Sequence, residues 1–333
     1  MNKIVFDNHI SEEKWNSLQN EATFCPWFQT YKAFLFYKNT STVDAFAVGV
    51  ENDGVLKCLT VGYIQKEGGA IKQFFSKRAV ILGGPLLHKQ LNAEELSQML
   101  DAVKKRLEGK AIYIEFRFFS NYKQWVNVFE DQDFKYQQHY DIIVNTKNKD
   151  DVLNKMGKSR KRDIKLSLRE GARIIQNPTP KQVKEYYAVL SNLYRTKVKT
   201  PLFPLSFFED LSNDSEFHLF LVEYQGKIIG GTVCVGAKGA VLYEMYACGI
   251  DGVYKNVFPS ELATYAAIEY AFENGYASLD MMGAGKPNDG GYGVRDFKLK
   301  FGGDLLEYGR SIFICNFYLY NLGKFVVNLI KRL

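Results

Sequence analysis

The order of predicted elements repeats along the chain, and that repeat constrains the fold more than any other feature. In the first half an apolar stretch at Ala45 to Val50 turns at Glu51-Asn52-Asp53-Gly54 into a second stretch, Leu56 to Ile64. That is a hairpin signal, and a third apolar run follows at Ala79 to Leu82. Leu96, Leu100, Val103 and Leu107 then recur at helical spacing from a start near Asn92, and AIYIEFRFF reads as a strand. The second half has a helix at Pro180 to Tyr194 and strands at Leu219 to Glu223, Ile228 to Val235 and Val241 to Ala247. A helix from about Ser260 to Asn274 and a strand at Ala277 to Met281 complete it. Two tandem copies of one unit, each a mixed, mostly antiparallel sheet flanked by helices, make the fold α+β. The expected division is 1–145, 146–312 and a closing segment 313–333 that packs back on the body as a helix; 333 residues suit two cores better than one.

Several function classes are disfavoured at this level. The five cysteines are scattered without CxxC or Cys/His spacing and read as buried free thiols of a reducing compartment. Four isolated histidines leave no metal-ligand spacing and no His-centred relay, so neither a metal nor another cofactor is expected. The N-terminus has no signal-peptide apolar core, and no run reaches the roughly 18 apolar residues a membrane span needs. The expected location is the cytoplasm. The tail FYLYNLGKFVVNLIKRL mixes apolar residues with Asn and Lys and ends basic. Its first reading is packing on the body; its second is peripheral contact with an anionic bilayer at the inner face of the membrane.

Basicity is local. Lys147 to Arg173 carries ten Lys or Arg against four Asp or Glu, which equals the whole chain's excess of +6. On a helix from about Lys158, residues Lys158, Arg162, Lys165 and Arg169 share one stripe, and Ile164 and Leu168 share another that packs. The stripe is either a phosphate-binding face, for a nucleotide, a tRNA or a lipid-linked substrate, or a solvated linker helix.

The strand LDMMG runs into a loop with five Gly in the eleven residues from Gly283 to Gly293, where backbone can approach a ligand closely. VRDFKLKFGG follows. Lys298 and Arg295 bring positive charge to this place, and Phe297 either walls a pocket or belongs to the core with Phe301. Spacing alone does not separate Lys298 from Lys300.

GYGVRDFKLKFGG after a strand ending LDMMG resembles the C-terminal signature of the FemABX family, peptidoglycan aminoacyltransferases that move an amino acid from aminoacyl-tRNA onto a cell-wall precursor. CPWFQTYKA, LGGPLL, DFKYQQHYDIIVN, SRKRDIKLSLREGARI and the segment YEMYACGIDGVYKNVFPSELATYAAIEYAFENGY resemble further family elements in the same order. The resemblance implies two GNAT-like domains, closest to the armless, FemX-like members, because Phe203 to His218 is too short for the helical arm. It implies that Phe297 and Lys298 are the functional pair, which places the catalytic charge on Lys298 rather than Lys300. It implies an acceptor-phosphate site near RTKVKTPLFP, where Arg195, Lys197 and Lys199 supply charge, with Gly291, Tyr292 and Arg295 lining the substrate. Donor and acceptor are then aminoacyl-tRNA and a peptidoglycan precursor. The general base stays open among Asp280, Asp289, Asp296 and a substrate phosphate.

Two rival readings come from other classes. An acyl-CoA-dependent N-acyltransferase acting on an amine of an envelope or polysaccharide precursor would bind pyrophosphate at the turn Asp251 to Ser260, but that turn has only Gly252 and lacks the Gly-rich cradle. A non-catalytic nucleic-acid or membrane-surface binder would use the basic helix and the tail.

Overall fold

Helix starts in this chain are written by side chains. Asn92 accepts from Glu95 N–H while Glu95 reaches back to Asn92 N–H, a capping box that opens Ala93–Leu107. Thr179 and Gln182 do the same for Pro180–Leu193, with Pro180 in the first turn, where its missing N–H costs nothing. Each such cap is worth about 1 kcal/mol.

The computed structural model describes residues 2–65, 77–199, 202–288 and 293–332, and the chain divides into two units. The first is Met1–His139 together with Glu307–Leu333; the second is Tyr140–Leu306. The first unit is built on strands β1 (Asn2–Phe6), β2 (Val43–Asn52), β3 (Val55–Gln65), β4 (Arg78–Gly83), β5 (Leu86–Leu87), β6 (Tyr113–Phe118) and β7 (Lys135–Gln137). Its described helices include α1 (Glu12–Glu21), α2 (Tyr31–Asn39), α3 (Ala93–Leu107) and α4 (Val126–Asp131). The second unit contains β8 (Tyr140–Asn145), α5 (Lys149–Lys155), α6 (Lys158–Arg169), β9 (Arg173–Ile175), α7 (Pro180–Leu193), α8 (Leu205–Asn213) and β10 (Phe217–Tyr224). It continues with β11 (Lys227–Val235), β12 (Val241–Gly249), α9 (Pro259–Glu273), β13 (Ser278–Gly283) and α10 (Gly293–Leu299). Strand β14 (Asp304–Glu307) ends its sheet, and β15 (Arg310–Ile314) and α11 (Phe317–Arg332) return to the first unit.

The sheet orders are β1-β2-β3-β4-β6-β15-β7, with β5 on β3, and β14-β8-β13-β12-β11-β10-β9. The repeat read from the sequence is therefore a repeat of topology. In each unit three antiparallel strands lead through a helix, α3 or α9, to a strand that pairs parallel with the third, β4 with β6 and β12 with β13. Each sheet has its own apolar core, centred on Leu100, Phe116 and Phe129 in the first unit and on Phe220, Leu262 and Phe301 in the second.

The unit boundaries differ from the expected 145 and 312. The chain enters the second sheet already at Tyr140, and LLEYGRSIFIC is two strands rather than one. Gly309, at φ 78°, breaks the run, and Tyr308 and Gly309 N–H both donate to His139 O at the crossing. After that turn β15 slots between β6 and β7. Alternation of apolar residues identifies a strand but not the sheet it joins. The tail forms α11 within the first unit, where the Tyr320 ring meets Tyr113 at 5.5 Å.

Candidate functional site

Parallel strands β12 and β13 pair only from Val241–Ser278 to Tyr243–Asp280 and then part. Beyond Asp280 the pairing of β13 with β8 is irregular up to Gly283, and Met282 sits at φ 57°, a left-handed backbone that costs a non-glycine residue about 1 kcal/mol or more. This bulge turns three carbonyls toward one place. The Lys298 ammonium donates to Met281 O at 2.5 Å, Met282 O at 3.3 Å and Gly283 O at 3.0 Å.

Three carboxylic acids stand around that ammonium. Glu244, on β12 just past the last paired residue, is buried and accepts from Thr232 Oγ1 at 3.2 Å and Thr264 Oγ1 at 2.9 Å. Asp280 is buried and accepts from Met282 N–H at 2.6 Å; Asp141, on the neighbouring strand β8, is also buried. Burial pushes the Asp280 carboxyl well above the usual range, Asp141 adds to this, and Lys298 opposes it. Burial likewise raises Glu244 against the pull of Lys298 and the two threonines, and it lowers the Lys298 ammonium, which the acids then support. One buried cation among three acids holds at least one acid in its neutral form, so the cluster can store and pass on a proton.

The helix that carries Lys298 is held from behind. Arg160, 3% exposed, lies with its guanidinium 4.4 Å from the ring centres of both Phe297 and Phe301. It donates to Phe297 O at 3.1 Å and forms an ion pair with Glu261 of α9 at 2.5 Å. Phe297 and Phe301 pack edge to face at 5.5 Å against the second core. The FGG that follows is dictated by close approach. A Cβ on Gly302, itself at φ 85°, would meet the Lys155 carbonyl carbon at 2.6 Å, and one on Gly303 would meet Ile142 at 2.7 Å. Gly157 N–H then donates to Lys300 O at 2.9 Å, while the Lys300 side chain is exposed.

The other expected residues fall in different places. Arg295 turns back to brace the loop, donating to Ala284 O at 2.8 Å and to Lys286 O, with Tyr140 5.1 Å away. Asp296 is exposed. Gly291, Tyr292 and Asp289 lie outside the described residues. Lys158, Arg162, Lys165 and Arg169 are all exposed along α6, as a cationic stripe requires, and Arg162 is paired with Asp163 at 2.9 Å. Leu168 is 45% exposed rather than packed; the buried face of α6 is Arg160, Asp163, Ile164 and Ser167. Arg195 and Lys197 are exposed in a π-helical turn, Tyr194–Val198, at the end of α7, and Lys199 closes that turn at φ 54°.

Arg160, Glu244 and Asp141 were missed by motif reasoning, and the first two left a signal. Arg160, Ile164 and Ser167 lie at i, i+4 and i+7, so one arginine of the basic run had to point inward. Glu244 interrupts an apolar strand, VLYEMYACG, in the same way that Asp280 interrupts LDMM.

The turn before α9 is closed by the chain's own acid. Asp251 accepts from Ser260 N–H at 3.1 Å and Ser260 Oγ at 2.5 Å, and Pro259, at the first helical position, has no N–H to give.

Residues 155–298 match the acetyltransferase (GNAT) domain family. No curated protein sequence matches the chain. The crystal structure of FemX superposes with a TM-score of 0.69 at 16% identity, covering 96% of this chain and 99% of FemX. A tandem GNAT protein from the clavulanic acid biosynthesis pathway gives 0.61 at 9% identity over 95% and 99%. L-PGS from Bacillus licheniformis gives 0.57 at 15% over 97% of each chain. The chain thus has the FemABX-like fold of two GNAT-related units, and the GNAT domain matched in sequence ends on Lys298.

Proposed function

We propose that this protein is an aminoacyltransferase that moves an amino acid from aminoacyl-tRNA to an amine of a peptidoglycan precursor, in the cytoplasm and without a metal or other cofactor. The observation that carries the choice of donor is the turn before α9. A CoA pyrophosphate needs free backbone N–H groups at that helix start. Here Asp251 accepts from Ser260, and Pro259 has none to give. A carboxylate in the place of an anion repels a second anion, which favours an ester donor over a thioester of CoA.

In the proposed reaction the acceptor amine attacks the aminoacyl ester carbonyl. A C–N bond forms, the C–O bond to the tRNA ribose breaks, the amine loses a proton and the ribose oxygen gains one. Lys298 stabilises the charge that develops on the carbonyl oxygen, its long bond to Met282 O being the one a substrate oxygen replaces. The Glu244 carboxylate, beside the neutral Asp280, takes the amine proton. Phe297 fixes the helix, and the loop with Gly291, Tyr292 and Arg295 borders the substrate. Arg195, Lys197 and Lys199 meet the acceptor phosphate, and Lys158, Arg162, Lys165 and Arg169 meet the tRNA backbone.

The decisive experiment supplies labelled aminoacyl-tRNAs or acetyl-CoA in parallel with amine-bearing cell-wall precursors. Transfer from the ester donor is expected; transfer from the thioester alone would overturn the reading.

A further inference from the structure

We propose that α11 docks the protein on the surface of an anionic lipid bilayer. This goes beyond the reaction above and holds for either donor, since it rests on one face of the first unit. The start of α11 is pinned: Cys315 and Asn316 N–H both donate to Ile112 O, at 2.9 and 3.0 Å, and the Asn316 side chain accepts from Leu319 N–H at 3.0 Å. Tyr320 packs on Tyr113 of the sheet. The inward face, with Leu319, Tyr320 and Gly323, is thereby occupied.

The outward face is apolar as well. Tyr318 is 86% exposed, Phe325 66% and Leu322 45%, and they stand at i, i+7 and i+4, one continuous stripe; Phe317, 66% exposed, flanks it. Tyr318, Phe317 and Phe325 are the most exposed large apolar side chains among the described residues. An aromatic stripe of this kind on a water-facing helix marks a surface that something covers.

Charge identifies what covers it. The helix carries Lys324, Lys331 and Arg332 and no Asp or Glu. A second copy of α11 would set like charges against each other, whereas anionic headgroups complement them. No described helix is long and apolar enough to cross a membrane, which fits a helix lying in the plane of the interface, with aromatic side chains entering the acyl boundary and the exposed Lys324 at headgroup level.

The test is flotation of the full-length chain with phosphatidylcholine vesicles that contain or lack phosphatidylglycerol. Co-flotation is expected with the anionic vesicles only and should weaken as salt rises. The triple variant Tyr318→Ser, Leu322→Gln, Phe325→Ser changes exposed residues alone, so it folds, and it should lose at least roughly ten-fold in bound fraction. Lys324→Glu should weaken binding by about ten-fold through charge. Equal flotation with and without anionic lipid, or no change in the triple variant, overturns the proposal. So does a dimer that the triple variant converts to a monomer without any flotation, which would make the stripe an interface between copies.

Discussion

The two units place an acid at the same point of the same topology and treat it in opposite ways. Glu115 of β6 and Asp280 of β13 are each the third residue of the strand after the crossover helix, opposite Val80 and Tyr243 on their parallel partners. Around Glu115 the neighbours are cations: Arg117 binds it at 2.8 Å and Arg310 of β15 at 2.9 Å. Burial alone would raise this carboxyl, but the two arginines outweigh burial and bring it to about 2. Around Asp280 the adjoining strand supplies another acid, Asp141, and the carboxyl moves the other way. The strands differ accordingly. β4 and β6 stay paired over six residues, whereas β12 and β13 part after three. A balanced ion cluster closes a sheet, whereas an acid-rich cluster with one lysine leaves the strands parted, and it is this second arrangement that the proposed reaction uses.

The largest effect comes from breaking what holds that arrangement from behind. Arg160→Met keeps a side chain against Phe297 and Phe301 but leaves the half-buried Glu261 without its cation. The second unit should lose roughly 3–5 kcal/mol in denaturant unfolding. Adding Glu261→Gln should recover most of it, because no charge is then stranded. If the single variant unfolds like the parent, Arg160 does not support the site. Next in size is the lysine itself. Lys298→Ala should lower the transfer rate about 10²–10³-fold in single-turnover assays, while Lys300→Ala, whose side chain is in water, stays near the parent. Equal losses would show that the distinction between the two lysines is wrong.

Most of the architecture was legible because it rests on periodicity. The three-strand, helix, strand order appears twice in the apolar pattern and twice in the topology. The positions of β8 and β15 were not legible, since each joins the sheet it does only after a turn, at His139 and Gly309, that local pattern cannot rank. At the site, the motif pointed to Phe297 and Lys298, but the partners around them come from β8, β12, α6 and α9, far away in sequence. A motif reads neighbours along the chain; a buried charge is satisfied by neighbours in space. The inward arginine of the basic run and the lone acid in each apolar strand were the traces available, and both follow from the cost of burying an unpaired charge.

Smaller effects sharpen the comparison between Glu115 and Asp280. At neutral pH Glu115→Gln should cost about 1–3 kcal/mol, because two arginines lose their shared carboxylate, whereas Asp280→Asn should be neutral or stabilising, because it supplies without a proton what the wild-type acid must bind one to achieve. The pH dependence separates them by sign. Glu115 has its folded value depressed, so its contribution is present above the ordinary carboxylate range and is lost as pH falls toward about 2. Asp280 has its folded value raised, so its contribution is present below the ordinary range and is lost as pH rises toward the folded value. Thermal unfolding followed across pH should therefore show Glu115→Gln flattening the acid limb and Asp280→Asn flattening the limb above it, each by about 1 kcal/mol per pH unit at most. If both variants flatten the same limb, the two acids are not held in opposite protonation states and the contrast between the two units fails.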